Sequence, residues 1–181
     1  MLIPPALRKG DLVGVVAAGF AVERARVEAG VRVLQGLGLR VRLGESLFAR
    51  EGYLAGGDEA RARDLLGMLA DDEVRAVHFA RGGWGTSRFL ERIPWKSMAR
   101  KPKLLIGYSD MTSLFVPADA RCHLACVYGP MVSELGEPRT FDRPSLLRAY
   151  FRPRAPLRLA LPRASILLPG SASGRAIGGC L

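Results

Sequence analysis

The stretch LLIGYSDMTSLF, residues 104–115, passes from an apolar run through Gly107, Tyr108 and Ser109 straight into a helical pattern. Leu104, Leu105 and Ile106 are apolar on both faces, which predicts a short strand of a parallel sheet covered by helices on both sides. From Asp110 onward, Met111, Leu114 and Phe115 recur at spacings of three and four, with Ser109 and Asp110 at N-cap or first-turn positions. The period therefore switches from strand to helix at Ser109. Two readings fit such a turn. In one, Ser109 is a plain N-cap whose hydroxyl turns inward onto the N–H of Met111 or Thr112. In the other it is the exposed hydroxyl of a nucleophile elbow, with Gly107 letting neighbouring backbone come close.

Outward from this segment the chain repeats the same alternation. LVGVVAA, residues 12–18, reads as a buried first strand, and Gly19 to Gln35 puts Val22, Ala25, Ala29 and Val33 on one helical face. LRVRL at 39–43 alternates as a second strand. DEARARDLLGMLADD, 58–72, is an amphipathic helix with Asp58 and Glu59 at the end where carboxylates suit the helix dipole. VRAVHFA, 74–80, is a third strand, followed by the glycine-rich turn RGGWGTS and a short helix. This order predicts an α/β fold, a doubly wound, mostly parallel Rossmann-like sheet with right-handed crossovers. Such sheets bind ligands beyond the carboxyl ends of their strands, where RGGWG (81–85) and GYSD (107–110) both sit. Backbone N–H groups of RGGWG can then reach the crevice that Ser109 faces. After residue 150 the chain becomes rich in Pro, Gly and small residues, with short strand-like pieces LRLAL (157–161) and SILL (165–168).

The 181 residues are 49% hydrophobic and 24% charged, an ordinary globular mixture that excludes a disordered chain. The net charge of +10 invites an anionic partner. Its carriers, however, are arginines scattered as Arg24, Arg26, Arg32, Arg40, Arg42, Arg61, Arg63 and Arg75, with no dense block alternating with aromatics. They read as a solvated surface, and nucleic acid is not an expected partner. Cys122, Cys126 and Cys180 are odd in number and lack paired CxxC spacing, so neither a disulfide framework nor a zinc site is expected. No metal or other cofactor is implied. Prolines interrupt MLIPPALRKG where a signal peptide needs an apolar core, and no segment approaches the ~20 apolar residues of a membrane span. A soluble, cytoplasmic protein without a membrane partner is the expectation.

A serine nucleophile needs a base, and the base an orienting group. The chain has two histidines. His78 lies inside the apolar run VRAVHFA and reads as a core or strand-end histidine; His123, in ADARCHLAC, follows the predicted helix on a loop or strand start. Neither carries a signature placing it beside Ser109.

YLAGGDEARARDLLGMLADDEVRAVHFARGGWGTSRFLERIPW (53–95), KPKLLIGYSDMTSLF (101–115), YGPMV (128–132) and GRAIGGCL (174–181), in this order, resemble the LD-carboxypeptidase family, the muramoyltetrapeptide carboxypeptidases, whose relatives include the microcin C self-immunity peptidase. The resemblance covers nearly the whole chain. It implies a serine peptidase that releases the terminal D-amino acid, D-alanine, from an L,D bond of murein tetrapeptides in peptidoglycan recycling. Ser109 would be the nucleophile, and the backbone N–H of Asp110 with that of Gly83 or Gly82 the oxyanion hole. Tyr108, Trp84 and Arg81 would meet substrate. Trp84 stands where the family usually has tyrosine, and Tyr128 where many relatives have histidine. Arg81 can meet a carboxylate bidentately or cap a strand end.

The family's histidine base and glutamate belong to a C-terminal domain that the GGC segment opens. The resemblance therefore implies an N-terminal nucleophile domain over residues 1–155, and over 156–181 a linker and the truncated start of a second domain otherwise absent. The partners expected are a muropeptide or other peptide and a second copy of the chain in a homodimer. Two further readings stay open: a non-catalytic α/β module that holds peptides between RGGWG and GYSD, and a fragment of a microcin-type self-immunity peptidase. A nucleotide-binding Rossmann domain fits less well, because GGWG lacks GxGxxG spacing and is not on the first βα turn.

Overall fold

A computed structural model describes residues 1–137, 141–154, 170–171 and 173–180. Strands β1 (Leu12–Val16), β2 (Arg40–Leu43), β3 (Val74–Phe79), β4 (Leu104–Gly107) and β5 (Val127–Tyr128) form one all-parallel sheet in the order β2-β1-β3-β4-β5. Helices α1 (Arg24–Gly36), α2 (Asp58–Ala70), α3 (Trp95–Arg100) and α4 (Thr112–Cys122) make the crossovers, and α5 (Arg143–Phe151) follows β5. The sheet is doubly wound, because its strands carry apolar residues on both faces. Leu12, Val16, Val77, Phe79 and Leu105 pack with α2, α3 and α4, while Val13, Val15, Ala76, Leu104 and Ile106 pack with α1 and α5.

Two glycines set how closely helices approach the sheet and its loops. A β-carbon on Gly14 would lie 2.6 Å from the Met68 sulfur of α2, and one on Gly30 of α1 only 1.9 Å from the Val132 carbonyl oxygen. The Gly30 contact explains where α1 departs from expectation. The helix begins at Arg24 rather than Gly19, and it buries Val27, Gly30 and Leu34 instead of the row Val22, Ala25, Ala29 and Val33. Residues 19–23 are drawn off into a loop: Phe20 bridges Leu54, and the Ala55 N–H donates to the Gly19 carbonyl (3.1 Å). The remaining element types follow the expectation, and LRLAL and SILL lie outside the described residues.

One member of the solvated set of arginines is not solvated. Arg61 of α2 is fully buried, whereas Arg24, Arg26 and Arg42 are exposed in surface ion pairs. The Arg61 guanidinium donates to the Ala18 carbonyl, the Gly56 carbonyl and the Asp58 carboxylate, and lies 5.4 Å from the Phe89 ring centroid. Asp58 also takes Arg88 at 2.7 Å. Burial pulls the Arg61 pKa down and Asp58 opposes it, so the cation is retained by its carboxylate.

His78, on β3, is fully buried, with Nε2 2.8 Å from the Pro130 carbonyl oxygen and Nδ1 2.9 Å from the Tyr150 hydroxyl. The carbonyl can only accept, so Nε2 carries the proton and Nδ1 accepts from Tyr150. Burial lowers the His78 pKa from 6.5 to about 4.

Because the folded pKa lies below the unfolded one, the stability held in neutral His78 is complete above pH 6.5 and is lost as pH falls toward 4. Urea unfolding should show a loss of about 3 kcal/mol over that interval that a His78→Gln variant lacks; equal pH slopes would refute the assignment. Gly30→Ala should destabilise by about 2 kcal/mol or more, since the obstacle is a backbone oxygen, and Gly14→Ala by less, since Met68 can swing aside.

Candidate active site

The strand order reverses between β1 and β3, and there the Phe20 N–H donates to the Gly82 carbonyl at 3.0 Å. A cleft of about 320 Å³ opens at this switch point. Phe20, Val22 and Glu23 line it from the loop after β1, Arg81, Gly82 and Gly83 from the loop after β3, Tyr108 and Ser109 from the end of β4, and Met131, Ser133 and Glu134 from the turn beyond β5; Arg26 of α1 completes it.

Ser109 has φ +60°, a left-handed conformation shared among the described non-glycine residues only with His123. Extended Tyr108 precedes it, and a 3-10 turn over Ser109–Met111 leads into α4. Such a conformation costs a β-carbon-bearing residue on the order of 1 kcal/mol. The N–H groups that a capping serine would take are already used. The Met111 N–H donates to the Tyr108 carbonyl (3.2 Å), and that of Thr112 to the carbonyls of Asp110 and Ser109. The side chain instead lies beside Gly82, where a β-carbon would stand 3.2 Å from the Ser109 Oγ. Glycine is the residue that lets backbone stand so close to the hydroxyl.

The neighbours order themselves around this turn. The Asp110 carboxylate points away from the cleft, accepting from the Thr86 N–H (3.0 Å) and hydroxyl (2.7 Å). Gly83, at φ +113°, packs where a β-carbon would strike the Phe20 ring. The Tyr108 hydroxyl donates to Glu134 at 2.7 Å, and this bond, with partial burial, pushes its pKa up to about 12 and keeps it protonated. Glu134 is held in turn by the Met131 N–H at 2.8 Å. The Tyr128 hydroxyl stands 2.8 Å from the Cys180 Sγ and faces the Ser109 N–H. The Arg81 guanidinium donates to the Ala21 carbonyl (2.8 Å) and has no carboxylate partner among the described residues.

Of the residues singled out in the sequence, Ser109, Tyr108, Arg81, Gly82 and Gly83 meet at the cleft, and Asp110 adjoins it. Trp84 does not line it. Its ring is half exposed with Arg88 alongside, because Gly85 at φ +145° turns the loop inward onto Arg61 and leaves Trp84 at its outer edge. Neither histidine reaches the cleft. His78 is closed off by Tyr150 and Pro130, and His123 caps the far end of α4, a helix of 11 residues and about 16 Å that stands between it and the Ser109 turn. Glu134, Thr86 and Phe20 carried no local sequence signal. Among the described residues no group of three or more His, Cys, Asp or Glu could hold a metal ion, and no helix is long and apolar enough to cross a membrane.

A parallel doubly wound sheet with a left-handed serine at a strand-to-helix turn, facing a glycine loop beside the switch point, defines an elbow-type α/β domain. Residues 13–129 match the model of the LD-carboxypeptidase N-terminal domain, Peptidase_S66, and the chain belongs to that family. Over 181 residues it is 36% identical to a Bacillus subtilis (strain 168) protein named "Probable murein peptide carboxypeptidase", covering 98% of this chain and 57% of that one. Over 125 residues it is 34% identical to the murein tetrapeptide carboxypeptidase of Pseudomonas aeruginosa, covering 68% and 40%. The chain thus spans 57% and 40% of the length of these two relatives. The fold is that of the microcin C7 self immunity protein MccF (TM-score 0.78, 23% identity, 86% of this chain and 48% of that one). It also matches the muramoyltetrapeptide carboxypeptidase of Oxalobacter formigenes (TM-score 0.60, 25% identity, 67% and 40%).

If backbone strain resides at Ser109, Ser109→Gly should unfold at a higher temperature than Ser109→Ala, by about 2–4 °C for a difference of about 1 kcal/mol. Calorimetry of the two variants decides it; equal midpoints would mean a relaxed turn.

Proposed function

We propose that residues 1–181 form the nucleophile half of a serine LD-carboxypeptidase acting on peptides that end in a D-amino acid, murein tetrapeptides above all. The observation that carries this reading is the left-handed Ser109 at the carboxyl end of β4, with its hydroxyl beside Gly82. In the reaction the Ser109 Oγ adds to the carbonyl carbon of the terminal peptide bond while its proton passes to a base. The oxygen of the resulting tetrahedral adduct takes hydrogen bonds from the Asp110 N–H and from that of Gly83 or Gly82, helped by the positive end of α4. Collapse breaks the C–N bond, the amine of the D-amino acid leaves protonated, and water then hydrolyses the Ser109 ester.

A carboxypeptidase has to recognise the free carboxylate of the residue it removes. Arg81, a cation beside Gly82 without an acidic partner among the described residues, suits that task, and Tyr108, whose one proton is committed to Glu134, offers its oxygen as an acceptor to a peptide N–H. The outward position of Trp84 speaks against direct contact with a ligand in this cleft.

The base and its orienting acid lie outside this chain in the reading we favour. Support comes from the two histidines, one buried and neutral, the other at the opposite end of α4. Residues 1–155 are then the nucleophile domain and 156–181 lead toward the part that supplies the base, in a cytoplasmic enzyme of peptidoglycan recycling. The same absence supports the second reading, a peptide-binding module, and the fold shared with MccF leaves the self-immunity type of substrate beside the murein peptide.

Purified 1–181 should bind a D-alanine-ending murein tetrapeptide in calorimetry, and Arg81→Ala should weaken binding about tenfold. It should release D-alanine no faster than Ser109→Ala, because a serine without its base loses nearly all its chemistry. Absence of binding would overturn the substrate assignment. A turnover that vanishes in Ser109→Ala would show that the base lies within the chain.

A further inference from the structure

The loop after β3 supplies the backbone that faces Ser109, yet between Arg81 and Thr86 it contains three glycines and no regular structure. Its shape depends on what grips it from outside. The Gly82 carbonyl is held by the Phe20 N–H (3.0 Å). A peptide group is planar and trans, so the Gly83 N–H points opposite to that carbonyl, away from Phe20. Gly85 lies against the buried guanidinium of Arg61, where a β-carbon would be 2.8 Å from the nearest nitrogen. Thr86 is then the first residue of the 3-10 turn over Thr86–Arg92, and its N–H and hydroxyl both donate to one oxygen of Asp110.

Asp110 is the residue that follows the nucleophile in the chain. Its side chain therefore reaches the end of the loop after β3 while its backbone belongs to the turn that carries Ser109. Thr86 is fully buried, and Gly19 gives the carboxylate its room, since a β-carbon there would stand 2.8 Å from the same oxygen. Removing the hydroxyl alone would leave that oxygen short of one of its two donors.

We propose that the Asp110 carboxylate is a positioning residue for the oxyanion hole: by holding Thr86 it fixes the 82–85 backbone against Ser109, so that one residue sets both halves of the hole. The inference rests on the reading of Ser109 as the nucleophile, and it extends that reading from the backbone N–H of Asp110 to its side chain.

The test follows modification of Ser109 by a fluorophosphonate in alkaline buffer, read by intact mass. The Ser109 O–P bond forms, the P–F bond breaks, fluoride leaves, and solvent base takes the proton. Thr86→Ser keeps both donors and should label at the wild-type rate. Thr86→Val keeps shape but loses the hydroxyl, and Asp110→Ala loses the acceptor. Both should lower the limiting rate about tenfold to a hundredfold while the half-saturating probe concentration stays put. Equal rates in Thr86→Val and Thr86→Ser would overturn the proposal. A wild-type chain that labels no faster than Ser109→Ala would instead overturn the nucleophile assignment. The clamp is then judged by the amide resonances of Gly82, Gly83 and Gly85: they should shift and exchange faster in Thr86→Val but not in Thr86→Ser, and unchanged resonances refute it.

Discussion

Between Gly107, where β4 ends, and Thr112, where α4 begins, the chain has four residues in which to turn a buried strand into a helix. It does so by holding Ser109 at φ +60°. Everything at the cleft is arranged around that constraint. The conformation survives because it is over-determined: Gly82 has no β-carbon to collide with Ser109, Met111 and Thr112 bond back to the turn's own carbonyls, and Asp110 is anchored on Thr86. Strain of this kind persists where surrounding contacts outweigh it, as they do at functional turns.

The switch point gives the constraint its location. Because β1 and β3 are neighbours while the chain between them visits β2, the loops that follow them diverge at the sheet's carboxyl edge and leave a gap. The Phe20 to Gly82 hydrogen bond bridges the base of this gap, and the cleft stands above it. The buried cation of Arg61 braces the same region from beneath, linking the end of β1, the start of α2 and Gly85. A lone buried charge would be costly, and Asp58, shared with exposed Arg88, compensates it. This ties together the acidic residue and the two arginines of the DEARARDLL and GTSRFL segments, which in the sequence are only a spacing.

The two histidines show how the same residue type can be placed beyond use. His78 has both ring nitrogens committed, to a carbonyl and to Tyr150, and its environment keeps it neutral well below ordinary imidazole behaviour. His123 takes the left-handed cap that ends α4, with its N–H on the Asp119 carbonyl at 2.8 Å. The helix that follows the serine's turn thus ends at the histidine, and its rigidity keeps them apart.

By itself the sequence determined the alternation of strands and helices, because hydrophobic periodicity is a local property, and it located the strand-to-helix turn at Ser109, because the period changes there within a few residues, while leaving a plain cap and an elbow both open. It also marked Gly82, Gly83 and Arg81 through a glycine cluster that only a turn tolerates. What it did not reveal depends on contacts between segments far apart in the chain. The buried face of α1 is chosen by the approach of Gly30 to Val132; Arg61 reads as one more surface cation until α2 docks against Ala18; Trp84 looks like a cleft wall until Gly85 turns the loop and leaves it outside. Glu134 and Thr86 gain their partners, Tyr108 and Asp110, only when β4 is laid beside β3 and β5. Periodicity records which residues prefer burial, and only the assembled sheet decides which of them meet.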